Sequence, residues 1–332
     1  MLSLATMFAI ASAMDLPVRD PDARYVGSPL ALIGVVALGF LIADVLSRAL
    51  RMRRDVGTGA FAATAAVLRE RWLGRRGAIV VCCLLSFYAT YLSYRNLKGY
   101  VPFVSQGNHD VGLLEFERWL FFGNDPTTLV QTVLGTGVAA HLLSFVYLAF
   151  LTFVPISLGV ALVWSSRLAA GVWYVTALSL TWMLGALSYY VLPALGPAFA
   201  GRWLVSDLPE TGVGRLQQTL FESRVEVLAD PGATSAVHSI AAFASLHIAV
   251  VFVAALIAQL LQLARPLRVA LWTFLGLTAL ATIYFGWHYV VDDVAGLAIG
   301  GFSVFAAAKL TAAGWPPLKG RLPLAQRRAR AT

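Results

Sequence analysis

The residues of this sequence best suited to chemistry are two histidines and an aspartate at the starts of two apolar runs. His288 and Asp292 are four residues apart, so on a helix they would share one face. A carboxylate there can hold one ring nitrogen of the histidine and leave the other free and basic. His247 opens an earlier apolar run, in the sequence Phe-Ala-Ser-Leu-His. This set suits a histidine nucleophile, its orienting carboxylate and a general acid for a leaving group.

The surroundings of His247 favour phosphoryl transfer among the reactions such a set can perform. The first turn of its helix offers free backbone N–H groups and a positive dipole end, which attract a phosphate. Ser245, and with it Ser239, could add donors to a substrate phosphate. We therefore predict phosphoryl transfer through a phosphohistidine, with no metal and no other cofactor.

Three other interpretations compete with this one. A histidine at a membrane interface is often only an amphipathic residue at headgroup level. A zinc site would use the same histidine and aspartate ligands, but no third strong ligand has a fixed spacing in the sequence. A proton-coupled transporter would need ionisable residues near mid-span and broken helices, whereas these residues fall at the ends of the apolar runs.

Two other aspartates in the apolar runs are assigned simpler roles. Asp44 lies near the end of its run and is expected to be solvated or paired with Arg48. Asp293 would point about 100° away from Asp292 on a helix, so we expect it to be a helix-start charge.

The composition places these residues in a membrane protein. The 332 residues are 59% hydrophobic and 13% charged, and a soluble domain carries roughly twice that charged share. The apolar residues come in long runs, which predicts an all-α polytopic helical bundle. The net charge of +8 does not indicate nucleic acid, because the basic residues lie in short segments between the runs. Such segments are typical of cytoplasmic loops beside anionic lipid headgroups.

Seven apolar runs are predicted to span the membrane. They cover about 29–47, 77–94, 139–164, 170–192, 240–263, 267–286 and 288–310. We divide the chain into three parts. Residues 1–76 contain an interfacial helix, the first span and a basic cytoplasmic loop, and residues 77–310 form the membrane core. Residues 311–332 are a basic cytoplasmic tail that we expect to be disordered. Residues 60–73 look amphipathic and are expected on the cytoplasmic leaflet.

The distribution of positive charge predicts the orientation of the bundle. With the C-terminus and the loop at residues 48–76 inside, 17 of the 25 lysines and arginines are cytoplasmic. Both histidine motifs then face the extracytoplasmic side of the plasma membrane, which in a bacterium is the inner membrane.

The segments Phe243–His247 and Tyr284–Gly296 resemble the second and third motifs of the type-2 phosphatidic acid phosphatase superfamily. They are most similar to its inositol phosphorylceramide synthase-like branch, where these motifs read roughly Phe-Pro-Ser-Leu-His and His-Tyr-x-x-Asp. The segments Tyr94–Leu97 and Pro193–Pro197 are also similar to that branch, and the likeness extends over residues 77–310. The resemblance implies a six-helix core in which the second-motif histidine protonates a leaving group. The third-motif histidine and aspartate would attack phosphorus and orient the attack, respectively.

The sequence departs from the phosphatase pattern in the residues that would clamp phosphate. The Lys-x6-Arg-Pro first motif is absent, Ala281–Thr282 stands where the phosphatase form has Ser-Arg, and Ala244 replaces a proline. Arg95, Lys98 and Arg202 are our candidate replacements, because they lie on the predicted outer side near helix ends. The transferase branch shares these departures, so they argue against simple hydrolysis rather than against phosphoryl chemistry.

The resemblance implies an enzyme that acts on a lipid phosphate ester at the outer leaflet. Water would resolve a phosphohistidine to give a lipid phosphatase, which is our first interpretation. An alcohol would give the alternative, a phosphotransferase that moves a headgroup such as inositol phosphate between lipids. The same base can activate water or alcohol, so the site residues leave both open. The expected partners are the lipid phosphate and anionic membrane lipids, with no nucleic acid, and the oligomeric state is left open.

Overall fold

A computed structural model describes residues 2–20, 29–57, 59–105, 107–165, 167–234, 238 and 240–311. Within these residues the chain is helical with no strand, which confirms the all-α prediction. The helices are α1 (Leu2–Ala13), α2 (Pro29–Val56), α3 (Ala60–Val67), α4 (Arg75–Val104), α5 (Asp110–Leu120), α6 (Pro126–Leu134), α7 (Val138–Leu158), α8 (Leu168–Val191), α9 (Pro197–Ala200), α10 (Gly212–Ala229), α11 (Leu246–Leu260), α12 (Arg265–Tyr284) and α13 (Val290–Leu310). Short π-helical segments, Leu68–Trp72 and Gly159–Trp164, continue α3 and α7. The predicted tail at residues 312–332 lies outside the described residues.

Six of the described helices are long and apolar enough to cross a bilayer, so the chain is a polytopic membrane protein. They are Ile33–Val56, Arg75–Val104, Val138–Trp164, Leu168–Val191, Arg265–Tyr284 and Val290–Leu310. The seventh predicted span is α11, which has 15 residues instead of the expected run over 240–263. At about 1.5 Å per residue it is shorter than the roughly 30 Å of a hydrocarbon core.

The position of α11 explains how a short helix serves in this bundle. It packs against α8, α12 and α13, and residues around its whole circumference, such as Val250, Val251 and Val253, are fully buried. A helix that is apolar all round belongs in the interior. Because its neighbours cover it, α11 does not itself have to span the full apolar thickness.

Glycines let α13 approach α11 closely. A Cβ atom at Gly296 would lie 2.4 Å from the Ser245 carbonyl oxygen, and one at Gly300 would lie 2.8 Å from the Ala249 carbonyl oxygen. Small residues four apart on one helix face are a common device for tight packing between membrane helices. This packing brings the starts of the two helices together.

The N-terminal helix forms as expected for residues 1–14, and it packs against α4. Met7 on its inner face is fully buried. The segment that follows is tied to α4 by a reciprocal pair of hydrogen bonds between the Arg19 backbone and the Asn96 amide, at 2.9 and 2.7 Å. Its depth in the membrane stays a prediction.

A polar cluster, which we call the arginine end, lies where α2, the π-helical segment after α3 and α4 meet. Asp44 is paired there with Arg48 at 2.8 Å, as one of its expected roles required, and also with Arg71 at 2.7 Å. The Trp72 indole N–H donates to the same carboxylate at 3.2 Å. Arg76 donates to the Leu162 carbonyl oxygen at 3.1 Å. These contacts hold the helix ends together.

Candidate active site

The structure places the two motif histidines in contact at the opposite, histidine end of the bundle. His247 is in the first turn of α11, and its Nδ1 lies 3.3 Å from Nε2 of His288. The Ser245 backbone N–H donates to the Asp292 carbonyl oxygen at 3.0 Å, which ties the starts of α11 and α13 together. Two helix N-termini therefore converge on the histidine pair.

The hydrogen bonds of His288 define which of its nitrogens can react. Its Nδ1 lies 2.9 Å from the Ala242 carbonyl oxygen and 3.4 Å from Oδ2 of Asp292. Because both of those oxygens accept, Nδ1 carries the proton and the neutral ring keeps its lone pair on Nε2. His288 is 5% exposed and Asp292 is fully buried. The ring is thus held with Nε2 directed at His247.

The contact between His288 and Asp292 does not arise as the sequence argument assumed. The helix α13 begins at Val290 with Tyr289 as its N-cap, so His288 precedes the helix and does not share a helical face with Asp292. Instead, Asp292 reaches back across the first turn, where its Oδ2 also accepts the Tyr289 backbone N–H at 2.9 Å. The pairing of the two residues is as predicted, but a helix-start turn produces it.

Aromatic rings enclose His247. The ring centroids of Tyr147 and Phe150 lie 4.7 and 4.4 Å from the imidazole centroid. Trp287 stacks on Tyr147 at 5.2 Å with an interplanar angle of 6°. These rings limit water around the histidine pair and restrict the rotation of His247.

The 3.3 Å separation also constrains how a substrate enters. A phosphorus atom cannot lie in line between two nitrogens that are already this close. Any group that reacts with Nε2 must therefore turn the His247 ring aside or approach Nε2 off the line that joins the two nitrogens.

The Pro193–Pro197 break forms a tight turn beneath this pair, and Asp110 organises it. The two carboxylate oxygens of Asp110 accept backbone N–H groups of Leu195 at 2.8 Å and Gly196 at 2.9 Å. The Tyr289 hydroxyl donates to the same carboxylate at 2.9 Å. Gly196 has φ +100°, and a Cβ atom there would lie 2.4 Å from the Trp287 carbonyl oxygen. Only glycine fits this close approach.

A second buried acid on α5 meets the first turn of α13. Glu117 Oε1 accepts the backbone N–H of Val290 and, at 3.4 Å, that of Val291. Burial raises the pKa of Glu117 to about 7, partly offset by these hydrogen bonds. The sequence analysis gave Asp110 and Glu117 no role. Their spacing of seven on one amphipathic helix face is the signal that marks them as a pair.

Lys98 and Arg95 of α4 face the same end of the bundle. The Lys98 Nζ lies 5.1 Å from the centroid of the Tyr189 ring, and its charge is within electrostatic range of His247. Arg95 is within electrostatic range of Tyr189 and His238. Both predicted phosphate ligands thus lie near the histidine end, and their binding role stays a prediction.

Arg224 joins this basic group, although the sequence analysis did not select it. Its Nη1 lies 2.8 Å from Nε2 of His238. A guanidinium only donates, so His238 accepts through Nε2. Burial and the neighbouring positive charges hold the pKa of His238 well below its usual range. Neutral His238 therefore serves to orient Arg224.

Arg202 contacts residues of α10. It is exposed, its guanidinium stacks over the Phe221 ring at 4.3 Å, and it donates to the Gln218 side chain at 3.4 Å. None of the contacts found for it in the described part of the chain joins it to the histidine pair. Its predicted phosphate contact stays a prediction.

The remaining site candidates are buried between helices. Ser245 is fully buried, and its side chain lies near the carboxyl group of Asp293. Asp293 lies in the first turn of α13, as expected, and it also accepts a hydrogen bond from the Thr282 hydroxyl of α12 at 3.1 Å, which links the two helices. Ser239 lies outside the described residues. Among the residues that the structure does describe, no three histidine, cysteine or acidic side chains converge as metal ligands.

The fold and site define a helical membrane protein with a His–His–Asp cluster where two helices begin. A protein-family model described as the PAP2 superfamily matches residues 111–306, which is more than half of the chain. The chain belongs to the PAP2 superfamily, the family of phosphatase-type enzymes that the two histidine motifs resemble. Neither the curated proteins nor the solved structures yield a match for it.

Proposed function

We propose that this protein is a lipid-phosphate phosphatase that works through a phosphohistidine at the outer leaflet of a bacterial plasma membrane. The observation that carries the proposal is the chain of contacts from Asp292 through His288 to His247, at 3.4 and 3.3 Å. Membership of the PAP2 superfamily supports phosphoryl chemistry, and the membrane bundle supports a lipid substrate.

The first half-reaction uses His288 as the nucleophile. Its Nε2 lone pair attacks phosphorus while the P–O bond to the lipid breaks, and His247 gives a proton to the departing oxygen. Asp292 and the Ala242 carbonyl oxygen accept hydrogen bonds from the Nδ1–H group of His288, which hold the ring and stabilise the positive charge that it gains. The products are a phosphohistidine and a lipid alcohol.

The second half-reaction reverses the roles. His247, now neutral, takes a proton from water, the oxygen attacks phosphorus, and the N–P bond breaks to restore His288. If an acceptor alcohol replaces water, the same steps transfer the phospho-headgroup to a new lipid. This phosphotransferase, of the inositol phosphorylceramide synthase-like kind, is our alternative, and the residues at the site serve both reactions equally.

We assign the binding of the negatively charged phosphate to the basic side chains at the histidine end of the bundle. Lys98 of α4 lies within electrostatic range of His247, and Arg95 of α4 and Arg224 of α10 lie near His238. Charged donors of this kind stabilise a phosphoryl group during transfer. Ser245 is fully buried, so it could contact the phosphate directly only if the start of α11 moved. We therefore assign phosphate binding to the basic side chains before Ser245.

The test is turnover by the purified full-length protein in detergent micelles. Phosphatidic acid, a polyprenyl diphosphate and phosphatidylinositol are each supplied with and without EDTA, and free phosphate and new lipids are followed together. Phosphate release that survives EDTA and is lost in His288→Ala supports the phosphatase. A new phosphorylated lipid with an added alcohol, and little free phosphate, supports the transferase.

The matched control is His141→Ala, because His141 is an exposed histidine on α7. It should keep the full rate. Turnover that is equal in His288→Ala and the parent protein would overturn the mechanism, and no turnover of any lipid phosphate would overturn the proposed function.

A further inference from the structure

Helix α5 buries two of its three acids and exposes most of its large apolar residues. Asp110 and Glu117 are 2 and 3% exposed, whereas Val111, Phe116 and Trp119 are 69, 44 and 75% exposed. A helix on the surface of a water-soluble protein has the reverse arrangement. An exposed aromatic face suits the boundary between headgroups and acyl chains. The buried acids of α5 therefore serve contacts inside the protein.

Both acids contact the segment that directly follows His288. Asp110 accepts from the Tyr289 hydroxyl at 2.9 Å, and Glu117 accepts the backbone N–H groups of Val290 and Val291. The first N–H groups of a helix have no partner within it, and a carboxylate there also interacts favourably with the helix dipole. Glu117 is thus an N-terminal cap that a different helix supplies to α13.

We propose that Glu117 is a positioning residue, which holds the first turn of α13 and so sets the contact between Asp292 and His288. It touches no reacting atom. Asp292 lies in that turn, and its Oδ2 bridges the Tyr289 N–H and the His288 Nδ1 at 2.9 and 3.4 Å. If the first turn of α13 shifts, the 3.4 Å contact between Asp292 and His288 is lost before the 2.9 Å hydrogen bond from Tyr289. Its effect on catalysis rests on the proposed function.

The groups around Glu117 make the strength of its hydrogen bonds to the first turn of α13 depend on pH. Asp292 and Asp293 face it from α13 and disfavour its charge, and burial acts in the same direction, so its pKa is about 7. Tyr289 lies between it and Asp110, and Arg118, the next residue on α5, is turned to Asp125 at 2.8 Å. Below that pH the neutral carboxyl accepts more weakly, because charge-assisted hydrogen bonds are about twice as strong.

The kinetic test compares Glu117→Ala, Glu117→Gln and the control Glu115→Gln, an exposed acid on the same helix. With phosphatidic acid micelles, we expect kcat to fall about 100-fold in Glu117→Ala and about 10-fold in Glu117→Gln, with KM changed less than about 2-fold. The acid-side inflection of kcat near pH 7 should disappear in Glu117→Gln. Glu115→Gln should match the parent protein. A cap with only a structural role would leave the pH profile of the folded fraction unchanged.

Amide hydrogen exchange tests the cap without relying on activity. The peptide that contains Val290 and Val291 should exchange about 10-fold faster or more in Glu117→Ala, less so in Glu117→Gln, and at the parent rate in Glu115→Gln. Equal exchange in all four proteins, or a pH profile that Glu117→Gln shares with the parent protein, would overturn the proposal. A parent protein inactive on every lipid phosphate would overturn the proposed function, while the exchange rates would still decide whether Glu117 holds the turn.

Discussion

Asp44 and Asp292 are both almost fully buried and lie at opposite ends of the bundle, yet their surroundings differ. Asp44 receives two arginines, at 2.8 and 2.7 Å, and an indole N–H. Asp292 receives one backbone N–H and one imidazole, both at Oδ2, and its Oδ1 has no hydrogen-bond partner among the described residues. Asp44 is thus paired with permanently charged arginines, whereas Asp292 is paired with an imidazole ring that carries a proton on Nδ1.

This difference separates a structural ion cluster from a site for chemistry. A buried carboxylate costs free energy unless charges and donors compensate it, and the arginine end supplies that compensation in full. In the proposed mechanism, the histidine end pairs its carboxylate with an imidazole that gains positive charge during the reaction, as active sites do with buried acids. The comparison predicts that variants at the two ends fail in different ways.

The largest effect is expected at the nucleophile. His288→Ala should lower turnover of the lipid phosphate by about 10⁴-fold or more, because no other group of the site lies where Nε2 does. The melting temperature should stay close to that of the parent protein, measured by a thermal shift assay in the same micelles. A residual rate above about a tenth of the parent rate would show that the histidine end does not work as described.

The next effect is expected at the carboxylate. Asp292→Asn should lower kcat by about 10²- to 10³-fold, because an amide accepts the Nδ1 proton less strongly and stabilises the imidazolium less. The measurement is kcat corrected for the folded fraction, with Asp44→Asn as the control. Equal losses in the two variants would remove the distinction between the two ends.

A smaller effect is expected in the basic group. Arg224→Ala should raise KM for the lipid phosphate about 10-fold with kcat within about 3-fold, because one charged donor to the phosphate is lost. Arg202→Ala, an exposed arginine that stacks on Phe221, should change KM less than about 2-fold. Steady-state kinetics at fixed ionic strength measures both. A larger effect of Arg202→Ala would restore the original candidate in place of Arg224.

The arginine end should show a loss of stability without a loss of chemistry. Asp44→Asn leaves Arg48 and Arg71 without their shared acid, and we expect a loss of about 1 to 3 kcal/mol in the free energy of unfolding. That is below the range for fully buried pairs, because the Arg48 side chain is 33% exposed. Thermal and denaturant unfolding in micelles measure it. The rate per folded molecule should change less than about 2-fold.

The smallest effect concerns pH and Glu117. Its folded pKa of about 7 exceeds the ordinary value of 4.5, so between these values the folded state binds more protons than the unfolded state. Its contribution to stability is therefore present at low pH and is lost as pH rises through 7. Glu117→Gln should flatten the fall in melting temperature between about pH 5 and 8, by about 2 to 4 °C. An unchanged slope would contradict the buried, titrating acid.

Much of the fold follows from the apolar runs, because the bilayer fixes how long a spanning helix must be. The run at 288–310 was placed within two residues of α13. The predicted span at 240–263 is too long, because residues 240–245 are largely apolar but not helical. Ala242 there donates its backbone N–H to the Ala194 carbonyl oxygen, and its own carbonyl oxygen accepts from His288. The hydropathy of such a segment indicates that it is buried, but it does not distinguish a helix from non-helical chain.

From the sequence, site residues could be predicted only where a short spacing or a motif within one segment marked them. His288 and Asp292 are close in sequence, and His247 is marked by its own motif, so all three could be found. Glu117 contacts the first turn of α13 and Arg224 contacts His238, each from an amphipathic helix that only tertiary packing brings there. Arg202 shares the charge of Arg224 and its predicted side of the membrane, but it packs on Phe221. Charge and topology do not distinguish these arginines.

The most direct test of the central claim is to trap the phosphorylated enzyme. Lipid phosphate labelled with ³²P is mixed with the parent protein, the reaction is quenched within one turnover, and the labelled peptide is identified by mass spectrometry. We predict an acid-labile, alkali-stable phosphoryl group on His288 that is absent from His288→Ala and retained in Asp44→Asn. Product formed with no labelled protein at any quench time, or a label on another residue, would contradict the account.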